Sequence, residues 1–560
     1  MGESPKKRTG LARYWPVLAV VAVVAAALGI GAVVGGGGGG DDDAAGSAGT
    51  SGEPPALAAF KGEDPMSAPD CDRSTGRLMI PTLLAPNCVP LWPKDRDNGG
   101  TTSPGVTEDE IVVAVYVPQL DPTVDALANQ ILGPDRPTPA ENTELRKEIV
   151  QAYNALYEMY GRKIKLVEVN ASGSASDDAA ARADAIKIAD DIHAFAAIDG
   201  PAQTNAYAEE LAARKVICIC VTGQPGDMYE RLAPYAWGLT MSSSEAYVHR
   251  ADYIVHRLAG KKAEFAGDPS FQTQDRKFAL VYYETADNSR KAGVDAFVER
   301  LKDNGVTLAD RIPYILDLSK ATEDAGTIVA RLKAKGVTSV VFSGDGFFPI
   351  YLTGAATQQD YNPEWVMTGS LGTDITALAR RYDQKQWAHA FGISQLVARV
   401  DPDQLEKEAN PVSWYLGKTL KAYPQIFQLG LVSSGIQLAG PDLTPDTFRG
   451  GLYALKPTRG YTTVTGSSFG TGDVWPDADY TGVDDVTEVW WDAKATGKDE
   501  TSAEGTGMYR YMDNGKRYLP GEVGKSSSVP FDPADTITIL PKTPAKDLPK
   551  QYPHRTSRTG

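Results

Sequence analysis

Short β-branched and aromatic runs alternate with helically spaced stretches twice along this chain, first over residues 111–239 and again over 278–368. Such alternation predicts two similar α/β lobes in tandem, because strand-helix-strand order folds into a parallel sheet covered by helices. In the first series 111–117 reads as a strand ended by Pro118, 145–160 has helical spacing, 164–169 is strand-like and 179–192 is helical. Runs at 195–198, 206–213 and 216–221 continue the pattern. The second series has 278–283, 292–301, 328–335 and 340–342, and a helical stretch at 246–258 with a polar loop at 267–276 joins the two. Two connected lobes imply a cleft, and clefts between domains are where small ligands bind.

At about 150 residues per domain, 560 residues allow three or four units. A net charge of -16 argues against a nucleic-acid partner, whose phosphates would be repelled. Histidines stand at 193, 249, 256, 389 and 554 with no His-Glu-x-x-His or Cys-His spacing, so no transition-metal site is expected. No Gly-x-Gly-x-x-Gly follows the first strand and no Gly-x-x-x-x-Gly-Lys-Ser/Thr occurs, which removes dinucleotide and P-loop readings. Binding without a cofactor remains.

Lys6, Lys7, Arg8 and Arg13 precede an uncharged run over 17–34. As a helix, roughly 18 residues at 1.5 Å each span about 27 Å, close to the bilayer core. The basic flank predicts a cytoplasmic tail at 1–16, an anchor at 17–34 and an extracytoplasmic remainder. A cleaved signal peptide is the rival reading, although its apolar region is normally shorter, about 7 to 15 residues. Residues 35–104 read as a flexible linker and a segment stapled by a Cys71–Cys88 disulfide, expected outside the cytoplasm where a Pro-rich loop has little core. Cys218 and Cys220 fall on one face of a strand and are expected as two small buried side chains, since a mutual bridge would strain an extended backbone.

The expected organisation continues with lobe one at 105–241, a crossover at 242–276, lobe two at 277–391, a return to lobe one at 392–450, a small β appendage at 451–525 and an extended tail at 526–560. Three groups of residues invite chemistry. Gly466-x-Ser468-x-Gly470 matches a hydrolase elbow, but Gly472 and Pro476 follow where a helix is required, so a surface turn is expected. Asp477, Asp479, Thr481 and Glu488 copy part of a calcium-loop spacing, but Pro476 and a strand-like 486–491 replace the flanking helices. The third group is the set of loops after the strands, where ligands meet open α/β sheets. Gln119, Gly200, Gln203, Thr204 and Thr222 occupy those loops in lobe one, and Glu284 and Asp345 in lobe two. Helix capping is the alternative role for Thr204, and a cap can present its loop to the cleft at the same time.

The opening Gly105-Val106-Thr107-Glu108-Asp109-Glu110-Ile111-Val112-Val113-Ala114-Val115 resembles the first strand of solute-binding proteins of branched-chain amino-acid-type ABC importers, the type I periplasmic-binding fold. Tyr160-Gly161-Arg162-Lys163, Gly200-Pro201, Leu332-Lys333-Ala334-Lys335-Gly336-Val337 and Pro445-Asp446-Thr447-Phe448-Arg449 agree in order. Phe342-Ser343-Gly344-Asp345, Asn362-Pro363-Glu364-Trp365 and Tyr509-Arg510-Tyr511 are similar to an actinobacterial branch. The resemblance covers about residues 105–525 and rests on collinearity. It implies two Rossmann-like lobes joined by three crossovers and closing on a small polar, amino-acid-like solute. Gly200, Pro201, Thr204 and Thr222 match its lobe-one loops, and Asp345 a lobe-two strand end. It further implies a non-enzymatic, monomeric protein that hands its solute to an ABC permease, or alternatively an anchored cell-surface sensor or scaffold. The loops themselves depart from the family, with Asp287-Asn288-Ser289 and Trp237-Gly238 at positions where it has other residues.

Overall fold

The computed structural model describes residues 52–119, 138–201, 204–284, 290–401, 410–418 and 424–559, apart from positions 176, 222, 318 and 549. The expected anchor at 17–34 lies outside the described residues. Among those described, no helix is long and apolar enough to cross a membrane.

Cys71 and Cys88 are bonded, with Cα atoms 5.6 Å apart, and with Ala68 they form a small cluster of their own. The short antiparallel pair Cys71–Asp72 with Arg77–Leu78 lies inside the loop they close. A bridge over 17 residues restricts the unfolded chain, and replacing both cysteines by serine is expected to cost about 3 kcal/mol. Comparing urea midpoints of the oxidised protein and the double variant measures it.

The first sheet contains β1 (Glu110–Val117), β2 (Lys163–Asn170), β3 (Ala196–Ile198) and β4 (Ile217–Ile219). Its order is β2-β1-β3-β4 and all its pairs are parallel. Its helices are α1 (Pro139–Leu156), α2 (Asp178–Ile186), α3 (Ala206–Ala213) and α4 (Gly226–Leu232). α1 begins on a reciprocal cap: Glu141 N–H donates to Thr138 Oγ1 at 3.3 Å while Thr138 N–H donates to the Glu141 carboxylate at 2.7 Å. Gly105, at φ +76°, lets the chain turn into β1 so closely that a Cβ would stand 2.3 Å from the Phe195 nitrogen.

After β4 the chain crosses to a second sheet through α5 (Ser243–Tyr253), itself capped reciprocally by Ser242 and Glu245. That lobe comprises β5 (Phe278–Tyr283), α6 (Lys291–Asp303), β6 (Asp310–Tyr314), α7 (Ala321–Ala334), β7 (Ser339–Ser343), α8 (Phe348–Gln358), β8 (Glu364–Met367) and β9 (Ala390–Ser394). The chain then returns to the first lobe, where α9 (Pro411–Leu416), α10 (Pro424–Ala439) and α11 (Pro445–Tyr453) add Val412, Leu429, Phe448 and Leu452 to that core.

Strands β10 (Thr487–Lys498) and β11 (Glu504–Tyr511) correct one expectation, because they are not a separate β appendage. They complete a seven-stranded sheet of order β11-β10-β9-β8-β7-β5-β6. β10 pairs antiparallel with β9, placing Trp490 opposite Phe391, and β11 pairs antiparallel with β10. The physical reason is burial. Val489 and Trp491 alternate with Trp490, so the two faces of β10 serve two different cores of the same sheet. The tail is also more firmly held than an extended strap, since Arg558 is buried against Asp70 and Glu158 at 2.7 and 2.9 Å.

Candidate functional site

Three connections join the lobes, and side chains tie them together. Gly238 N–H donates to Tyr480 O at 2.9 Å, which sets the first crossing beside the third. Thr481 Oγ1 donates to Glu245 Oε2 at 2.8 Å. Arg517 Nε donates to Asp485 Oδ1 at 2.7 Å, while its other nitrogens donate to the carbonyls of Leu396, Gln395 and Asp485 at 2.8, 3.0 and 2.8 Å, so it binds the second crossing to the third.

Buried acids gather at these connections, among them Asp479, Asp484 and Asp485. Burial pushes the Asp484 carboxyl up to about 7 and raises Asp479 well above the carboxylate range, with Glu245 adding repulsion. Burial likewise pushes Asp374, beside the second crossing, up to about 6, and pushes His249 down to about 4. The signs oppose. Each raised carboxyl is protonated in the native state at a pH where the unfolded chain has lost that proton, so its contribution is present at low pH and, for Asp374 and Asp484, lost as pH rises through about 6 to 7. His249 acts the other way, because from 6.5 down to about 4 the unfolded chain takes up a proton that the native state refuses. Three carboxyls outweigh one imidazole. Stability is therefore expected to rise by about 1–2 kcal/mol between pH 8 and about pH 5.5, with the slope reduced in Asp484→Asn; urea titrations at several pH values test it.

The same residues decide two motifs. Ser468 Oγ donates to Asp484 Oδ2 at 2.7 Å, whereas His249 Nε2 meets the Asp484 backbone carbonyl at 2.9 Å. Serine and imidazole are thus not bonded to each other, and the Gly-x-Ser-x-Gly segment is a buried hinge turn instead of the surface turn expected. Glu488, the last position of the calcium-like spacing, lies in β10 with its carboxylate held by Arg257 at 2.7 Å.

Among the lobe-one strand ends, Gln119 is exposed and Gly200 is half-buried, while Gln203 and Thr222 lie outside the described residues. A Cβ on Gly200 would meet the Cys220 carbonyl at 3.1 Å, so the loops after β3 and β4 touch there. Thr204 Oγ1 donates to Asp178 Oδ1 and accepts the Ala206 N–H at 3.0 Å, which makes it a link between two helix starts. Cys218 and Cys220 are bonded to each other, against the expectation of two separate side chains. β4 ends at Ile219, and leaving the extended conformation brings the two Cα atoms to 5.1 Å, within reach of a bridge. A shallow depression of about 430 Å³ between α3 and α4, lined by Glu209 and Arg231, shares no residue with these loops.

On the second lobe Asp345 is fully buried, and its carboxylate accepts the Tyr314 hydroxyl at 2.6 Å and the N–H groups of Phe347 and Phe348 at 2.8 and 2.9 Å. It caps α8 from within. Glu284 is buried at the end of β5 and accepts the Arg290 N–H at 3.1 Å. Two residues absent from the sequence-based set stand beside them. Arg250, 6% exposed, donates from Nη1 to Ser343 Oγ at 3.0 Å, at the end of β7. Its guanidinium lies 4.9 Å from the Tyr247 ring, and that of Arg290 lies 5.2 Å from the Tyr283 ring. The available signal was the Tyr247/Arg250 spacing on one face of α5, which is equally the pattern of a solvated helix face.

A family model described as periplasmic binding protein matches residues 147–483. Similar solved structures include an ABC-transporter substrate-binding protein from Aeropyrum pernix, 15% identical, covering 74% of this chain and 97% of that one at a TM-score of 0.50. Another is a leucine-, isoleucine-, valine-, threonine- and alanine-binding protein from Brucella ovis in a closed conformation, 12% identical over 76% and 98% of the two chains at a TM-score of 0.50. A Rhodopseudomonas palustris ABC-transporter solute-binding protein, solved with p-hydroxybenzoic acid, is 13% identical over 74% and 98% at 0.48. At these identities the likeness is one of fold. No curated protein sequence matches the chain significantly.

Proposed function

The chain belongs to the periplasmic binding protein family, and from that premise we propose that it captures a small polar solute between its lobes outside the cytoplasm and presents it to an ABC permease. The family match over residues 147–483 carries this reading. The lobe arrangement agrees with it: each sheet has a run of parallel strands with its strand-end loops, and three connections that can act as a hinge join the two. In this reading Gln119, Gly200, Gln203 and Thr222 supply lobe-one contacts, Glu284 supplies one from lobe two, and Thr204 and Asp345 shape their loops from inside. Residues 17–34 tether the protein to the membrane, and the protein works as a monomer without a cofactor.

A thermal-shift screen of the full chain against amino acids, amides, sugars and small acids tests the proposal. A true ligand at about 100 times its Kd should stabilise the protein by about 2.7 kcal/mol. A flat response across all four classes would count against solute capture.

A further inference from the structure

Resting on that reading, the geometry points to a small organic acid as the solute, its carboxylate held on the second lobe by the guanidinium of Arg250 with that of Arg290 beside it. Both arginines stand where ligands meet an open α/β sheet: Arg250 bonds Ser343 at the end of β7, and Arg290 follows the end of β5.

What marks them is a missing anion. Arg250 is buried, yet its polar partners are the neutral hydroxyls of Ser343 and Tyr247, and its Nε is enclosed with no partner. The Nε of Arg290 is enclosed without a partner as well. Other buried arginines show how this chain ordinarily treats such a charge. Arg146, Arg517 and Arg558 each meet a carboxylate, at 2.8, 2.7 and 2.7 Å. Arg162 donates to four backbone carbonyls, of Thr107, Pro441, Asn98 and Gly100. Arg250 has neither arrangement. Burial, helped by the repulsion of Arg290, disfavours its charged form, and the attraction of Tyr247 and Asp374 offsets only part of that. Holding a buried guanidinium beside a second, half-buried one is costly unless an anion lies between them.

The nearby acids do not supply that anion. The Asp374 carboxylate attracts Arg250 without pairing with it, one of its oxygens accepting the Ser394 hydroxyl at 2.6 Å, and Glu284 accepts the backbone N–H of Arg290. Among the described residues neither arginine forms an ion pair. A guanidinium presents a planar fork that matches a carboxylate, and the Tyr247 and Tyr283 rings offer faces on which such planes rest. With Glu284 and Asp374 close by, a singly charged planar group suits the site better than a doubly charged phosphate.

The test is calorimetry and thermal shift on the full chain with mono-, di- and aromatic carboxylates of two to ten carbons, each paired with its amide, and with inorganic phosphate alongside. At least one acid should stabilise the protein where its amide at equal concentration does not. Its affinity should fall at least tenfold in Arg290→Gln and further in Arg250→Gln, with Arg250→Lys as the variant that keeps the charge if Arg250→Gln does not fold. Amides binding as well as acids, phosphate binding alone, or unchanged affinity in Arg290→Gln and Arg250→Lys would overturn the assignment and leave solute capture standing. No response to any acid, with a response to neutral solutes or amino acids, does the same. No response to any compound removes both.

Discussion

Replacing Arg276 by alanine should destabilise the protein by about 3–5 kcal/mol, the cost of leaving one member of a buried ion pair behind. The Arg276 and Glu364 side chains are 1% and 0% exposed. They meet through two parallel contacts, Nε to Oε2 at 2.8 Å and Nη2 to Oε1 at 2.9 Å. Glu364 opens β8 at the centre of the second sheet, where it also accepts the Ser339 hydroxyl at 2.6 Å and the Phe265 N–H at 3.1 Å. Without the guanidinium that carboxylate has no counterion and no route to water. Glu364→Gln added to Arg276→Ala should recover part of the loss, because the orphaned charge is then gone. Urea midpoints of the two variants decide the matter: equal stability for both would show that the cost lies in packing around Arg276 and not in the stranded charge.

Arg517→Ala should cost a similar amount, about 3–5 kcal/mol, and should change behaviour as well as stability. Its guanidinium joins Asp485 to the carbonyls of Gln395 and Leu396, so one side chain fastens two of the three connections between the lobes. Arg517→Lys keeps a charge near Asp485 but cannot span the same three groups, so it should fall between wild type and alanine. Because the lost contacts lie in the connections and not in either core, small-angle scattering should find a broader spread of lobe separations in both variants. A scattering profile identical to wild type, together with the full loss of stability, would make Arg517 a simple core residue.

The lobes were legible in the sequence because parallel strands buried on both faces read as continuous apolar runs. The run at 278–283 coincides with β5, and the runs at 111–117 and 164–169 fall within β1 and β2. β6 gives no such run because Asp310-Arg311-Ile312-Pro313-Tyr314 lies at the sheet edge, where exposed Pro313 and half-buried Arg311 interrupt the buried positions. β10 reads as part of an appendage because its partner β9 lies far earlier in the chain, and no local pattern encodes a pairing of that range. At the site the limit was electrostatic. Asp345 reads as an exposed acid in a strand-end loop, and only the surrounding Tyr314, Phe347 and Phe348 turn it into an internal cap. Arg250 reads as an ordinary helix-surface cation, and only packing against Tyr247 and Ser343 buries it. Charge placement is a property of tertiary structure, which residue spacing on one helix does not encode.

The family match stops at residue 483, four residues short of β10. A chain cut at that boundary would keep the strand-end loops of both lobes and most of the recognisable motifs, yet it would strip the pairing from one side of β9 and bare the Trp490-facing surface of Phe391. An unprotected strand edge of that kind recruits other strands, so the shortened protein would gather into aggregates through β9. The limits of the shared family and the limits of the foldable unit are thus different places on this chain, and the stretch that looks most dispensable is the one that keeps its sheet solitary.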